Sequence, residues 1–183
     1  MIFLEDKMRI TGGNYRGRTI TCPKGIIRPA MDRMRESLFS ILGNIADDSF
    51  LDLFSGSGCV GIEAASRGAE PVVLVEKDFK KKTVIQQNMS IAEEDISLRM
   101  MSAEKYMSIC NRTFDLVYMD PPFPMGEKIK LIERASKTGV LAPEGRLIIH
   151  YPSEEKWPEA VGDFTVYDRR AYGRSILLFF KYA

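Results

Sequence analysis

Two stretches of this chain hold residue types that can do chemistry together. In FLDLFSGSGCVGIEAASRG an apolar run reaches Asp52 and then Gly56, Gly58 and Gly61, a G-x-G-x-x-G spacing, and LVEKD closes the next apolar run with Glu76. Glycine there permits a tight turn and lets backbone approach a ligand, while an acid closing the following strand can accept hydrogen bonds from ribose hydroxyls. The combination predicts a cofactor that contains a nucleoside. A strand-to-helix turn without a ligand would carry the same glycines, so the weight rests on the acid and on the order of elements. Asp52 bears on which cofactor. A nicotinamide dinucleotide would lay a negative pyrophosphate over this loop beside a carboxylate, whereas S-adenosylmethionine brings an ammonium and a sulfonium and no phosphate. Charge therefore favours S-adenosylmethionine. A nicotinamide-dependent oxidoreductase is the competing reading, weakened by Asp52 and by the lack of an evident acid or lysine for hydride chemistry.

The second stretch, VYMDPPFPMG, ends an apolar run in Asp120 and follows it with Pro121, Pro122 and Phe123. The exocyclic amine of a nucleobase is a poor nucleophile, because its lone pair is delocalised into the ring. A carboxylate and the Pro121 carbonyl can each accept one amine hydrogen, favouring a pyramidal nitrogen whose lone pair points at a methyl donor. Positive charge develops on that nitrogen during in-line displacement, and a fixed carboxylate stabilises it more in the transition state than in the ground state. The proton then leaves through Asp120 or water, so most of the catalysis is positioning. The prolines stiffen the turn, and Phe123 offers a face to an extruded base. Read alone, DPPF would be a strand-terminating turn whose aromatic plugs the core; the motifs around it favour the catalytic reading.

These residues need elements to hold them. Residues 31–45 carry Met34, Leu38, Ile41, Leu42 and Ile45 at helical spacing, with Asp32 as a cap candidate. Short apolar runs at 50–54, 71–76, 96–100, 114–119 and 145–151 read as strands, separated by stretches long enough for crossover helices. That order predicts an α/β fold with a mostly parallel, doubly wound sheet. The runs 164–167 and 175–182, joined by AYGR, have no helix between them and predict a C-terminal antiparallel hairpin at one edge. In such a sheet ligands bind beyond the carboxyl ends of the strands, and Asp120 ends the fourth strand beside the first.

The chain of 183 residues is long enough for one main domain. It is 45% hydrophobic and 28% charged, a globular balance, with no apolar run approaching a membrane span; the expected location is the cytoplasm. Cys22, Cys59 and Cys110 have neither CxxC spacing nor histidine partners, which excludes a disulfide framework and a zinc site and leaves reduced thiols. Net charge is +1, unevenly spread: residues 1–40 hold eight cations against four acids, and the remainder is slightly acidic. Such an arm suggests a polyanion partner, with Arg9, Tyr15, Arg16, Arg18 and Arg28 on a Gly-rich strand or hairpin and Arg33 and Arg35 on the following helix. The competing reading is a solvated edge strand.

DLFSGSGCVGIEAASRG, LVEKD and DPPF, preceded by MRITGGNYRGR and RPAMDRMRESLF, resemble the RsmD-type 16S ribosomal RNA guanine-N2 methyltransferases from about Met8 to the C-terminus. The resemblance implies a Rossmann-like class I methyltransferase with a seven-stranded sheet, using S-adenosylmethionine to methylate one guanine of the small ribosomal subunit. It implies catalytic roles for Asp120, Pro121, Pro122 and Phe123, and cofactor contacts from Asp52, Phe54, Gly56, Ser57, Gly58, Glu76, Lys77, Ser102, Ala103 and Asp120. It also implies a basic arm at 1–30, a methyltransferase domain at 31–183, a monomer, and 16S RNA in an assembling or assembled subunit as partner. DNA adenine or protein glutamine are alternative acceptors, and a catalytically silent RNA-binding assembly factor is a further alternative. Two departures stand out: Ser102 occupies the position where such enzymes often carry Asp or Asn, leaving Ala103 or Glu104 to serve the adenine, and residues 1–7 precede the usual Met-Arg-Ile opening. Asn88 reads as a solvated position at a helix end, His150 as structural, and Trp157 as packing over the sheet edge. Arg169, Arg170 and Arg174 would extend an RNA surface.

Overall fold

The structure, a computed structural model, describes residues 6–22 and 30–183, so Arg28 and most of the leader at 1–7 lie outside the described residues. The chain opens with β1 (Asp6–Arg9) paired antiparallel to β2 (Thr19–Cys22), then α1 (Ala30–Leu42). Helix α1 stops before Ile45 because Gly43 takes a left-handed conformation, φ 73°, just past its end. There follow β3 (Phe50–Asp52), α2 (Cys59–Ser66), β4 (Val72–Glu76), α3 (Lys82–Met89), β5 (Ile96–Met100), α4 (Ala103–Ile109), β6 (Phe114–Met119), α5 (Lys128–Thr138) and β7 (Leu141–Pro152). The chain closes with β8 (Ala160–Val161), β9 (Phe164–Tyr172) and β10 (Ser175–Tyr182).

The main sheet runs β5-β4-β3-β6-β7-β10-β9-β8, parallel through β7 and antiparallel beyond it. It has eight strands where seven were expected, because Ala160 and Val161 fold back to pair with Thr165 and Phe164. Strand β9 continues to Tyr172, past the apolar residues that marked it. Its polar half is held by the backbone ladder to β10, with Arg169 and Arg170 opposite Leu178 and Leu177, and hydrophobic patterning has no part in that stretch.

Consecutive strand residues bury alternate faces of the sheet. Leu51, Val73, Val75, Val117 and Met119 pack with α4 and α5, whereas Phe50, Val72, Leu74, Leu116 and Tyr118 pack with α1, α2 and α3. Burial on both faces is why these strands read as continuous apolar runs. A third cluster seats the N-terminal hairpin: Met8, Ile10, Tyr15 and Ile20 close over Cys59 and Ile62 of α2. Strands β4 and β5 lie on one side of β3 while β6 and β7 lie on the other, so the loops leaving β3 and β6 diverge and open a crevice between them. Gly61 lets α2 press against β4 beneath that crevice, since a Cβ there would stand 2.1 Å from Leu74 Cδ2.

Candidate active site

A cavity of about 900 Å³ occupies the crevice. Phe54 and Gly56 reach it from the loop after β3, Glu76 and Lys77 from the end of β4, Ala103 and Glu104 from α4, the run from Asp120 to Met125 from the loop after β6, and His150 from β7. A smaller cavity of about 110 Å³ shares Phe54, Gly56 and Asp120 with it and adds Asp52, Ser57 and Arg35. Local backbone sets the walls. Gly56 and Gly58 both take positive φ, 58° and 82°, so the loop turns sharply and Gly58 caps α2. Glu76 locks the loop: Oε2 accepts the Gly56 amide at 2.9 Å and Oε1 the Asp78 amide at 2.9 Å, with Lys81 Nζ 3.4 Å from Oε2.

Asp52 is 1% exposed, and its Oδ2 has no partner among the described residues. Burial above all, then the nearby Asp120, push its carboxyl up to about 8, against a smaller pull from the amides of Phe54 and Gly61. A buried, largely neutral acid with one orphaned oxygen is a site that a cation completes.

Asp120 lies opposite a histidine. His150 Nδ1 is 2.8 Å from Asp120 Oδ1, and the imidazole meets the Phe123 ring edge to face with centroids 5.1 Å apart. Lys128, the first residue of α5, is buried, and its Nζ donates to the carbonyls of Phe123 (2.9 Å) and Met125 (2.7 Å) and to Glu155 Oε1. A cation at a helix N-terminus opposes the helix dipole. These three acceptors offset that cost, and they tie down the turn that follows Asp120. Neither His150 nor Lys128 stood out in the sequence as part of the site. An isolated histidine after an apolar strand and a lysine in a charged helix carry no local signal; only the register of β6 with β7 and the fold-back of the loop reveal them.

The structure brings Asp52, Phe54, Gly56, Ser57, Glu76, Lys77, Ala103, Asp120, Pro121, Pro122 and Phe123 to these two cavities. Ser102 is not among the lining residues. Its hydroxyl caps α4 by accepting the Lys105 amide at 3.2 Å, which leaves Ala103 and Glu104 beside the cavity.

Several other expectations need correction. Asn88 is not solvated but 4% exposed: it accepts the Thr21 amide and donates to the carbonyls of Thr21 and Ser57, tying β2 to the glycine loop. Tyr15 is an anchor and presents no free ring to a base, because its hydroxyl donates to Glu94 Oε2 at 2.7 Å and accepts the Glu93 amide while Arg18 covers its ring, 5.0 Å from the centroid. Arg18 also donates to the Ile91 carbonyl. Arg35 is 3% exposed, paired with the buried Glu63 at 2.6 Å and donating to Asp32 and the Arg9 carbonyl, so it is withdrawn from any phosphate contact. Arg9, Arg16 and Arg33 are exposed. Trp157 packs on Tyr151 and Phe180. Arg169, Arg170 and Arg174 pair with Glu159, Asp168 and Glu154, and Arg174 also borders the large cavity.

The residues at the crevice fit S-adenosylmethionine. An ammonium would complete the orphaned Oδ2 of Asp52 and favour its ionised form, and Glu76 Oε1, which accepts one amide, retains a second lone pair for a ribose hydroxyl, while Oε2 faces both the Gly56 amide and Lys81 Nζ. A family model described as Conserved hypothetical protein 95 matches residues 8–181. Ribosomal RNA small subunit methyltransferase D of Escherichia coli (strain K12) is 30% identical over 171 residues, covering 92% of this chain and 86% of that protein. The protein of the same name from Buchnera aphidicola (subsp. Acyrthosiphon pisum) is 35% identical over 139 residues, 70% of this chain and 71% of its own. Among solved structures, a hypothetical protein of Thermus thermophilus aligns with a TM-score of 0.83 at 29% identity, over 95% of this chain and 99% of that one.

Proposed function

The chain belongs to the Conserved hypothetical protein 95 family, of the ribosomal RNA small subunit methyltransferase D type, and from that premise we propose that it methylates the exocyclic N2 amine of a guanine in 16S ribosomal RNA. It is an S-adenosylmethionine-dependent ribosomal RNA methyltransferase. The observation that carries the finer reading is a single crevice shared by an amine-accepting turn, Asp120 to Phe123, and a cation-accepting loop built on Asp52.

When bound, the cofactor supplies an electrophilic methyl group on a sulfonium. Asp52 would hold the ammonium of its amino-acid end and Glu76 its ribose hydroxyls. Asp120 and the Pro121 carbonyl each accept one hydrogen of the amine and so aim its lone pair, while Phe123 stacks on the base and keeps water away. After transfer the amine proton leaves through Asp120 or water. Arg9, Arg16 and Arg33 serve the RNA phosphates, with residues 1–30 as the substrate-facing arm and 31–183 as the catalytic domain, acting as a monomer in the cytoplasm.

The test supplies purified protein with methyl-labelled cofactor and, separately, naked 16S RNA, small subunits, duplex DNA and a glutamine-bearing protein. Label recovered as 2-methylguanosine from RNA is the expected result. Label in adenine or protein would move the acceptor, and no label in any arm would return the chain to a silent assembly role.

A further inference from the structure

His150 is the single histidine of the chain, buried at 4% exposure in β7. Its place follows from strand register: Met119 pairs with Ile149, so the residues immediately after them, Asp120 and His150, meet at the carboxyl ends of β6 and β7. An ionised carboxylate can only accept, so the 2.8 Å contact assigns the proton to Nδ1, donating to Asp120 Oδ1. The other ring nitrogen, Nε2, is buried with no partner among the described residues. Leaving it so costs stability that an apolar residue in the same space would not cost. The Phe123 ring packs against the imidazole at an interplanar angle of 66°, with centroids 5.1 Å apart. The carboxylate it meets has an acidic neighbour: Asp52 stands on the adjacent strand, close enough that the charge of Asp120 disfavours its ionisation.

We propose that His150 is a positioning residue for methyl transfer, donating Nδ1–H to Asp120 Oδ1 and so setting the plane of the carboxylate with Oδ2 offered to the amine. The inference rests on the reading of Asp120 as the amine acceptor. It gives the unsatisfied Nε2 a reason, since a side chain that only filled space would not carry a polar atom there. It also separates the two acids, with Asp52 left for the cofactor's cation and Asp120 held by a donor of its own.

Two substitutions test it. His150→Phe keeps an aromatic ring against Phe123 and removes the donor, whereas His150→Asn puts an amide N–H where Nδ1 stood. Turnover at saturating RNA and cofactor should fall about 10- to 100-fold in His150→Phe, with KM for RNA and S-adenosylhomocysteine affinity held within about twofold. His150→Asn should stay within about fivefold of the parent in turnover. Parental turnover in His150→Phe would overturn the role, as would an asparagine variant as slow as the phenylalanine one with both melting like the parent. If His150→Phe does not fold, the asparagine variant decides alone: near-parental turnover supports the donor, and a loss of tenfold or so in a normally melting protein overturns it. Failure of the acceptor assignment looks different, because Asp120→Ala would then keep turnover within about threefold of the parent, whatever the His150 variants do.

Discussion

At the scale of single residues, the two acids of the crevice should separate by function. Asp120→Ala removes the amine acceptor but leaves the loop after β3 and the Glu76 lock in place. Methyl transfer should drop by about 100-fold or more, the size of loss seen when a fixed electrostatic partner of the transition state is removed. S-adenosylhomocysteine binding, followed by calorimetry, should hold; activity within threefold or so of the parent would remove Asp120 from the mechanism. Asp52 should instead govern a pH dependence. Its carboxyl is raised to about 8 in the fold, so between the ordinary carboxylate range and that value the native state holds a proton that the unfolded chain has lost. Stability therefore falls as pH climbs through that window, and the loss is complete above about 8. Asp52→Asn is neutral throughout, so its melting temperature should gain on the parent's as pH rises from about 4 to about 8 and hold a constant lead above that. A gap that does not change across that rise would mean that Asp52 is not buried as a neutral acid. Ligand binding works the other way, since an ammonium favours the ionised form, and calorimetry in buffers of different ionisation heat should show a proton released as S-adenosylhomocysteine binds.

At the scale of elements, legibility followed burial. Strands β3, β4 and β6 are covered on both faces, so their apolar runs were plain in the sequence, and the acids ending them were plain too because a charge at the close of such a run has no packing role. What stayed hidden were side chains whose partners sit on distant elements. Asn88 joins Thr21 across 67 positions and Arg35 joins Glu63 across 28, and nothing in the flanking residues of either marks a buried polar group. The docking of the N-terminal hairpin onto α2 belongs to the same class and yields a prediction. Gly13 has φ 77°, and a Cβ there would stand 1.8 Å from the Ser66 carbonyl oxygen, which accepts the Asn14 amide at 2.6 Å. Ser66 Oγ meanwhile accepts the Tyr15 amide and donates to the Gly12 carbonyl. Gly13→Ala must lift the hairpin from the helix end, losing some of these bonds at about 1 kcal/mol each, or about 2–3 kcal/mol in all by urea unfolding. Proteolysis after Arg16 or Arg18 should quicken in parallel. Unchanged unfolding and cleavage would show that the hairpin is not seated as described.

At the scale of the whole molecule, the question is how a chain with a net charge of only +1 holds a polyanion. The uneven spread of charge was legible in the sequence, but which cations are available was not, because availability depends on where each side chain is buried or paired. Arg35 is buried against Glu63, and Arg18, although exposed, is engaged with Tyr15 and the Ile91 carbonyl; Lys7, Arg9 and Arg16 of the hairpin and Arg33 of α1 are exposed as well. Each phosphate contact made by such a cation releases condensed counterion, so logarithmic affinity falls with logarithmic salt, with a slope of about −0.7 per contact on single strands. Changing Arg9 and Arg16 together to Ala should weaken binding of 16S RNA and flatten that slope by roughly one to two units, while S-adenosylhomocysteine affinity stays parental. Changing Arg35 should behave otherwise: it would take one of two arginine partners from the buried Glu63, leaving Arg67 alone to balance it, and lower the melting temperature, whatever it does to RNA. The two variants thus separate contact with the substrate from support of the fold. Parallel slopes for the parent and the Arg9/Arg16 double variant across the salt series would show that these arginines only solvate an edge strand, and the partner-binding face of the molecule would have to be sought elsewhere.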